Sequence, residues 1–158
     1  MSAFLLSVHV LAAILTIGPV AVTASMFPRF ARLALDGPAD PRRGAVVRIL
    51  HRITRGYAVI GVLVPVFGLA TGASIGVLGD VWLIVSIVLT AGAGAVLVGV
   101  VLPSQRRTLR CLDEGAESAD LARVAPRLGM HTGIFNLLWA IVVVLMIYRP
   151  GSTTGVGR

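Results

Sequence analysis

The sequence predicts an all-α fold, a polytopic four-helix bundle in a membrane, and three observations carry that prediction. The first is composition: the 158 residues are 56% hydrophobic and only 13% charged, far from the balance of a water-soluble domain. The second is segregation: the runs 1–28, 57–79, 81–105 and 128–148 contain no Asp, Glu, Lys or Arg. A helix rises about 1.5 Å per residue, so about 20 residues cross a hydrocarbon core of roughly 30 Å, and each run is long enough. The third is pattern. The runs are apolar on all sides without two-residue alternation, and a backbone in lipid that must satisfy its own hydrogen bonds then chooses helices over a barrel. The expected spans are about 3–28, 57–79, 81–103 and 128–148, with loops 29–56 and 104–127, all in one membrane domain covering 1–158.

The first span has no basic residue ahead of it and is too long for a signal-peptide core, which reads as a retained helix. Ser2, His9, Thr16 and Thr23 recur every seven residues, so the polar groups share one face, which is expected to point into the bundle. Pro19 removes a backbone donor and crowds the carbonyl of Leu15, and Pro65 in the second span does the same to Gly61; a kink is expected at each.

All 14 cationic residues are arginine. Arg29, Arg32, Arg42, Arg43, Arg48, Arg52 and Arg55 lie between the first and second spans, and Arg106, Arg107, Arg110, Arg123 and Arg127 between the third and fourth. The positive-inside rule places both loops in the cytoplasm and both termini outside, in a bacterial plasma (inner) membrane. The lone Cys111 falls on the reducing side, and it has no partner for an internal bridge. The formal charge of +7 would suggest nucleic acid in a soluble protein; confined to two loops, it points to the bilayer and its anionic headgroups instead.

Within the first loop, Val46, Ile49, Leu50, Ile53 and Tyr57 recur at helical spacing opposite Arg48, Arg52 and Arg55. This predicts an amphipathic lead-in whose arginines meet lipid headgroups and whose His51 is solvated. The second span carries Gly68, Gly72 and Gly76, a doubled GxxxG, and the third carries Ala91, Ala95 and Gly99; both rows are expected to bring helix backbones close in lipid. Little more than Gly79-Asp80 joins these two spans, so a tight antiparallel hairpin is expected. Trp82, Tyr148 and Tyr57 sit at span boundaries as interfacial anchors. The second loop, CLDEGAESADLARVAPR, pairs acids with arginines and reads as a short solvated helix with a glycine break.

His9 is the titratable group least at home in its surroundings, and an ionisable residue within a span is a functional hypothesis by default. It reads either as a neutral histidine bonded across the bundle or as an axial ligand to haem b, since imidazole suits iron and four-helix bundles hold cofactors between facing helices. Two axial ligands need similar depth. Along the helices, His131 differs from His9 by roughly 19 Å in depth while Met146 lies within about 3 Å of it. Met146 is thus the candidate second ligand, and His131 belongs to an inner cluster with Thr132 and Met26. Asn136 and Trp139, deep in the fourth span, need partners and are candidates to line a cavity.

All seven carboxylates are in loops or at a turn, which removes the intramembrane acid that a pump or coupled transporter needs. Without lysine there is no phosphate-binding loop, no Cys/His cluster has zinc spacing, and no catalytic triad is apparent. The expected function is a haem-binding or redox-associated membrane protein. The alternative is a non-catalytic scaffold subunit for a membrane partner or a second copy, and the third is a small-molecule transporter.

Three stretches, LLSVHVLAAILTIG, VVLPSQRRTLR and LMIYRPG, resemble a widespread family of predicted bacterial four-helix integral membrane proteins with no assigned function, and together they bracket nearly the whole chain. More remotely, the first-helix histidine and the closing basic-Pro pair are similar to the membrane protoporphyrinogen oxidase and copper-resistance membrane families. The oxidase resemblance implies haem ligation by His9. The chain departs from that pattern at Thr16, where those relatives tend to carry tryptophan, and around Asn136, where their polar motif is not recognisable.

Overall fold

The computed structural model describes residues 2–35, 40–114 and 119–151, with side chains from Ala3 and, in the last helix, from Arg127. The elements are α1 (Ser2–Leu35), α2 (Pro41–Ile60), α3 (Leu63–Ser74), α4 (Val81–Val96), a π-helical turn (Leu97–Val101), α5 (Leu102–Glu114) and α6 (Ala119–Tyr148), and no strand occurs among the described residues. They form four rods long and apolar enough to cross a membrane: Ala3–Leu35, Pro41–Ser74, Val81–Glu114 and Arg127–Tyr148. At 1.5 Å per residue, the 34 residues of α1 extend about 51 Å, well past a hydrocarbon core of roughly 30 Å. Much of what the sequence assigns to loops is therefore helix. The glycine break expected in the second loop falls at Gly115, in 115–118, outside the described residues.

Local chemistry explains the joints. Asp40 caps α2, its Oδ1 accepting from the Arg42 N–H at 2.9 Å, and Pro41 follows at the first helical position, where its missing donor costs nothing. Because Pro65 has no N–H for Gly61, the Gly61 carbonyl takes the Val64 N–H at 3.0 Å, a tightened turn that separates α2 from α3. In contrast, α1 stays helical through Pro19 and Pro28. Pro103 likewise cannot serve Gly99; just before it the helix widens, and the Leu102 N–H reaches the Leu97 carbonyl five residues back.

The α3–α4 connection is longer than two residues. Gly76 adopts φ 74°, its N–H bonds to the Ala73 carbonyl, and the Val77 N–H bonds to the Gly72 carbonyl at 3.1 Å. These are the paired bonds of a Schellman cap, whose left-handed position favours glycine. Gly76 thus ends α3 rather than packing it, which corrects its place in the expected GxxxG row.

The rods alternate in direction, as the bonds His9–Val64 and Thr23–Thr54 show for α1 against α3 and α2. The packed core lies toward the arginine-rich end: Val20, Ala24, Phe27 and Ala31 of α1 meet Val47 and Leu50 of α2, Ala93, Leu97 and Val101, and Leu128 and Phe135 of α6. The opposite end, where α1 begins and α6 ends, is less filled.

Two further expectations need correction. On α4 the buried side is Trp82, Leu83, Ser86 and Ala93, continued by Leu97 and Val101, whereas Ala91, Ala95 and Gly99 are exposed. In lipid, both faces of a span are apolar, so small residues alone do not identify the packed one. On α2 the buried face is Val47, Leu50, His51 and Thr54, about 100° round from the predicted stripe, and Ile49 is exposed. The sequence marks His51 as solvated, but His51, like Thr54, has a partner in a neighbouring rod. His51 Nδ1–H donates to Gln105 Oε1 at 2.9 Å, and the Thr54 and Thr23 hydroxyls meet at 2.8 Å. Arg48 pairs with Asp113 of α5, while Arg52 and Arg55 are exposed.

Candidate functional site

The seven-residue row on α1 does face inward: His9, Thr16 and Thr23 are all buried, and the side chain of Ser2 lies outside those described. Thr16 and Thr23 satisfy their hydroxyls on their own helix, at the carbonyls of Ala12 and Pro19. His9 instead reaches across to α3, its Nδ1 standing 2.9 Å from the Val64 carbonyl. A carbonyl can only accept, so Nδ1 carries the hydrogen and, in the neutral ring, Nε2 keeps its lone pair.

Gly68 makes this approach feasible. A Cβ at that position would stand 2.9 Å from His9 Cε1, closer than real contacts allow, and 3.2 Å from Nδ1. Gly72 has a similar role one turn on, where a Cβ would meet Leu83 Cδ2 at 2.9 Å. Of the predicted glycine row, Gly68 serves close approach to α1, while Gly72 leaves room for the Leu83 side chain.

His9 lines two adjoining cavities, of about 450 and 300 Å³. Gly68, Leu83 and Met146 line both as well, so the structure brings His9 and Met146 to one interior, as their expected depths require. Trp82, Thr71 and Arg149 border the larger cavity, and Ser86, Thr90 and Trp139 the smaller. These volumes fall within the range of small-ligand and cofactor sites. The cavities exist because α3 and α4, although adjacent in sequence, barely touch. Leu69 and Ile87 line the smaller one and are also 43% and 38% exposed, so it opens on the flank between these two helices.

His131 is not part of this interior. Its Nδ1–H donates to the Arg127 carbonyl at 2.6 Å, one turn back on the same helix, and Met26 is exposed. Asn136 also stays outside the cavities, its Nδ2 donating to Ser25 Oγ at 3.0 Å. Trp139 does line the smaller cavity, and its ring stands edge-on to Phe135 at 6.5 Å. Trp82, expected as an interfacial anchor, is buried; it lines the larger cavity and donates from Nε1 to Asp80 Oδ2 at 2.9 Å. The aromatic ring turns inward because α3 leaves space there.

Arg149 is the residue the sequence reading undervalued, seeing it only as half of a basic-Pro pair. Its backbone has φ 42°, a left-handed conformation uncommon outside glycine; Pro150 disfavours the right-handed helical one at the residue before it. The guanidinium lies 5.5 Å from the Trp82 ring centroid, within cation–π range. Among the described residues, no three His, Cys, Asp or Glu side chains gather where they could hold a metal ion.

Four apolar rods and an interior lined by aliphatic, aromatic and few polar groups define a polytopic integral membrane protein. Residues 3–150 match the family model described as "Predicted integral membrane protein (DUF2269)", and the chain belongs to that family. The match concerns that family alone and does not extend to the protoporphyrinogen oxidase or copper-resistance families. No curated protein and no solved structure matches the chain.

Proposed function

We propose that this is a haem-binding, redox-associated membrane protein in which the His9 imidazole and the Met146 thioether would hold the haem iron. The observation that carries this reading is the His9–Val64 hydrogen bond: it fixes the tautomer and leaves Nε2 as the ring's lone-pair donor in an interior shared with Met146. Metal-ligating histidines are typically held in this way, with the other ring nitrogen donating to a carbonyl or carboxylate. The donor set, imidazole nitrogen and thioether sulfur, suits haem iron, and the apolar walls suit the macrocycle. A bound haem would supply one-electron exchange, at a potential that methionine ligation raises. The chain's own contribution is orientation, through Val64 and Gly68, and exclusion of water by Leu83, Trp82 and Trp139.

The test is a visible spectrum of detergent-purified protein, expressed with ample haem, before and after reduction. A Soret band that is lost or shifted in His9→Ala is expected. A colourless wild type, or an identical spectrum in the variant, refutes the proposal.

A scaffold role is the second reading, supported by the exposed Ala95 and Gly99, small residues of the kind that let another span approach closely. A partner or second copy should then co-purify from native membranes and be lost in Ala95→Phe.

A further inference from the structure

We propose that Arg149 is the anion-binding residue of the larger cavity, and that its ligand is an amphiphile whose carboxylate lies at the terminus end while its apolar body reaches toward His9. This rests on the cavity being a ligand site, as in the haem reading, and not on iron. Three observations converge on it.

First, among the described residues Arg149 is the one charged residue that lines the larger cavity; the other side chains around it are aliphatic or aromatic apart from His9, Thr71 and Met146. A lone cation at the mouth of an apolar space selects for a molecule with one acidic end. Arginine in particular offers a planar fork that fits a carboxylate in bidentate fashion.

Second, the guanidinium is held in place. Its Nε donates to the Met146 carbonyl at 3.3 Å, and its Cζ lies over the Trp82 ring. Trp82 is in turn fixed by its Nε1–H to Asp80. The two terminal nitrogens have no hydrogen-bond or ion-pair partner among the described residues, and Asp80 accepts from the indole rather than pairing with Arg149.

Third, the backbone of Arg149 is in a sparsely populated conformation for a side-chain-bearing residue. Such positions concentrate at binding sites, where the surroundings over-determine them. Arg149 follows the last helical residue and lines the cavity, whereas its neighbour Tyr148 is 61% exposed.

The test uses iron-free mesoporphyrin IX and its dimethyl ester, which share one apolar body and differ in their acids. The full chain is placed in phosphatidylcholine nanodiscs, and binding is read from quenching of the protein's two tryptophans, Trp82 and Trp139, both of which line the cavities; empty discs give the background. The diacid is expected to bind about tenfold tighter than the ester, the scale of one or two hydrogen bonds to a charged group. Arg149→Gln should remove most of that preference and Arg149→Lys should retain part of it, which separates loss of charge from loss of fold. Equal binding of acid and ester by the wild type overturns the proposal, as does an unchanged preference in Arg149→Gln or no protein-dependent quenching by either probe. Displacement of the diacid by discs containing phosphatidylglycerol would assign Arg149 to lipid phosphate and also overturn it. Because the probes carry no iron, these outcomes are independent of whether His9 ligates haem.

Discussion

The ring of His9 and the backbone of Gly68 occupy one contact: the imidazole packs where a side chain at 68 would have to be. The histidine's hydrogen bond to Val64 lies one helical turn away on the same helix, so α3 both orients the ring and makes room for it.

Gly68→Ala is therefore expected to destabilise the protein by about 1–3 kcal/mol, the usual cost of overpacking, despite the higher helix propensity of alanine. Gly94→Ala, where nothing lies within 4 Å, should be neutral or slightly stabilising. Thermal unfolding of the two variants in one detergent compares them directly. Equal melting temperatures would mean that the ring moves aside freely.

Met146→Leu keeps the volume of the cavity wall while removing the sulfur. If Met146 ligates haem, the variant should still load haem through His9, with a lower midpoint potential because thioether ligation raises it. Redox titration followed at the Soret band measures this, and an unchanged potential excludes Met146 as a ligand.

His51 and Gln105 form a buried pair in which the Gln105 Nε2 has no partner among the described residues. Gln105→Leu leaves the His51 Nδ1–H without an acceptor and should cost about 1–3 kcal/mol. Replacing both His51 and Gln105 by leucine removes the unmet groups together, so the double variant should be more stable than the Gln105→Leu single. Additive losses would show that the pair is not coupled.

The Thr23 and Thr54 hydroxyls meet across α1 and α2 and each lies near a carbonyl of its own helix; with one hydrogen apiece, one donates across while the other donates to its own helix. Their coupling in a double-mutant cycle with valine should be small, about 0.6 kcal/mol, as for other polar contacts between membrane helices. A coupling of several kcal/mol would mean that this contact holds the rods together.

Cys111, on α5 at the arginine-rich end, tests the direction of insertion. A membrane-impermeant thiol reagent added to intact cells should leave it unmodified, and opening the cells should allow reaction. Labelling before lysis would reverse the orientation that the arginine distribution predicts.

The architecture was readable because charge is so unevenly distributed along the chain: each apolar run became part of one rod. The inward row of α1 was also readable, since His9, Thr16 and Thr23 are polar groups that lipid would not accept and so had to face protein. Where polarity carried no contrast, the reading failed. Ala91, Ala95 and Gly99 are compatible with either side of a span, and the buried side of α4 is set instead by its fit to α6. His51 looked solvated because its partner, Gln105, lies 54 residues away, beyond any local pattern. Gly76 was counted with the packing glycines because its spacing fits, whereas only the turn geometry reveals it as a cap. The position of Arg149 depends on Trp82, and nothing in the sequence near either residue announces the other.

The gap between α3 and α4 has a practical corollary. A molecule that enters through that side door arrives by sliding along the leaflet, so what matters is how many copies there are per lipid, not per litre of buffer. Affinities measured at different detergent or phospholipid loads should disagree when expressed in molar units and coincide once each is divided by the amount of amphiphile present.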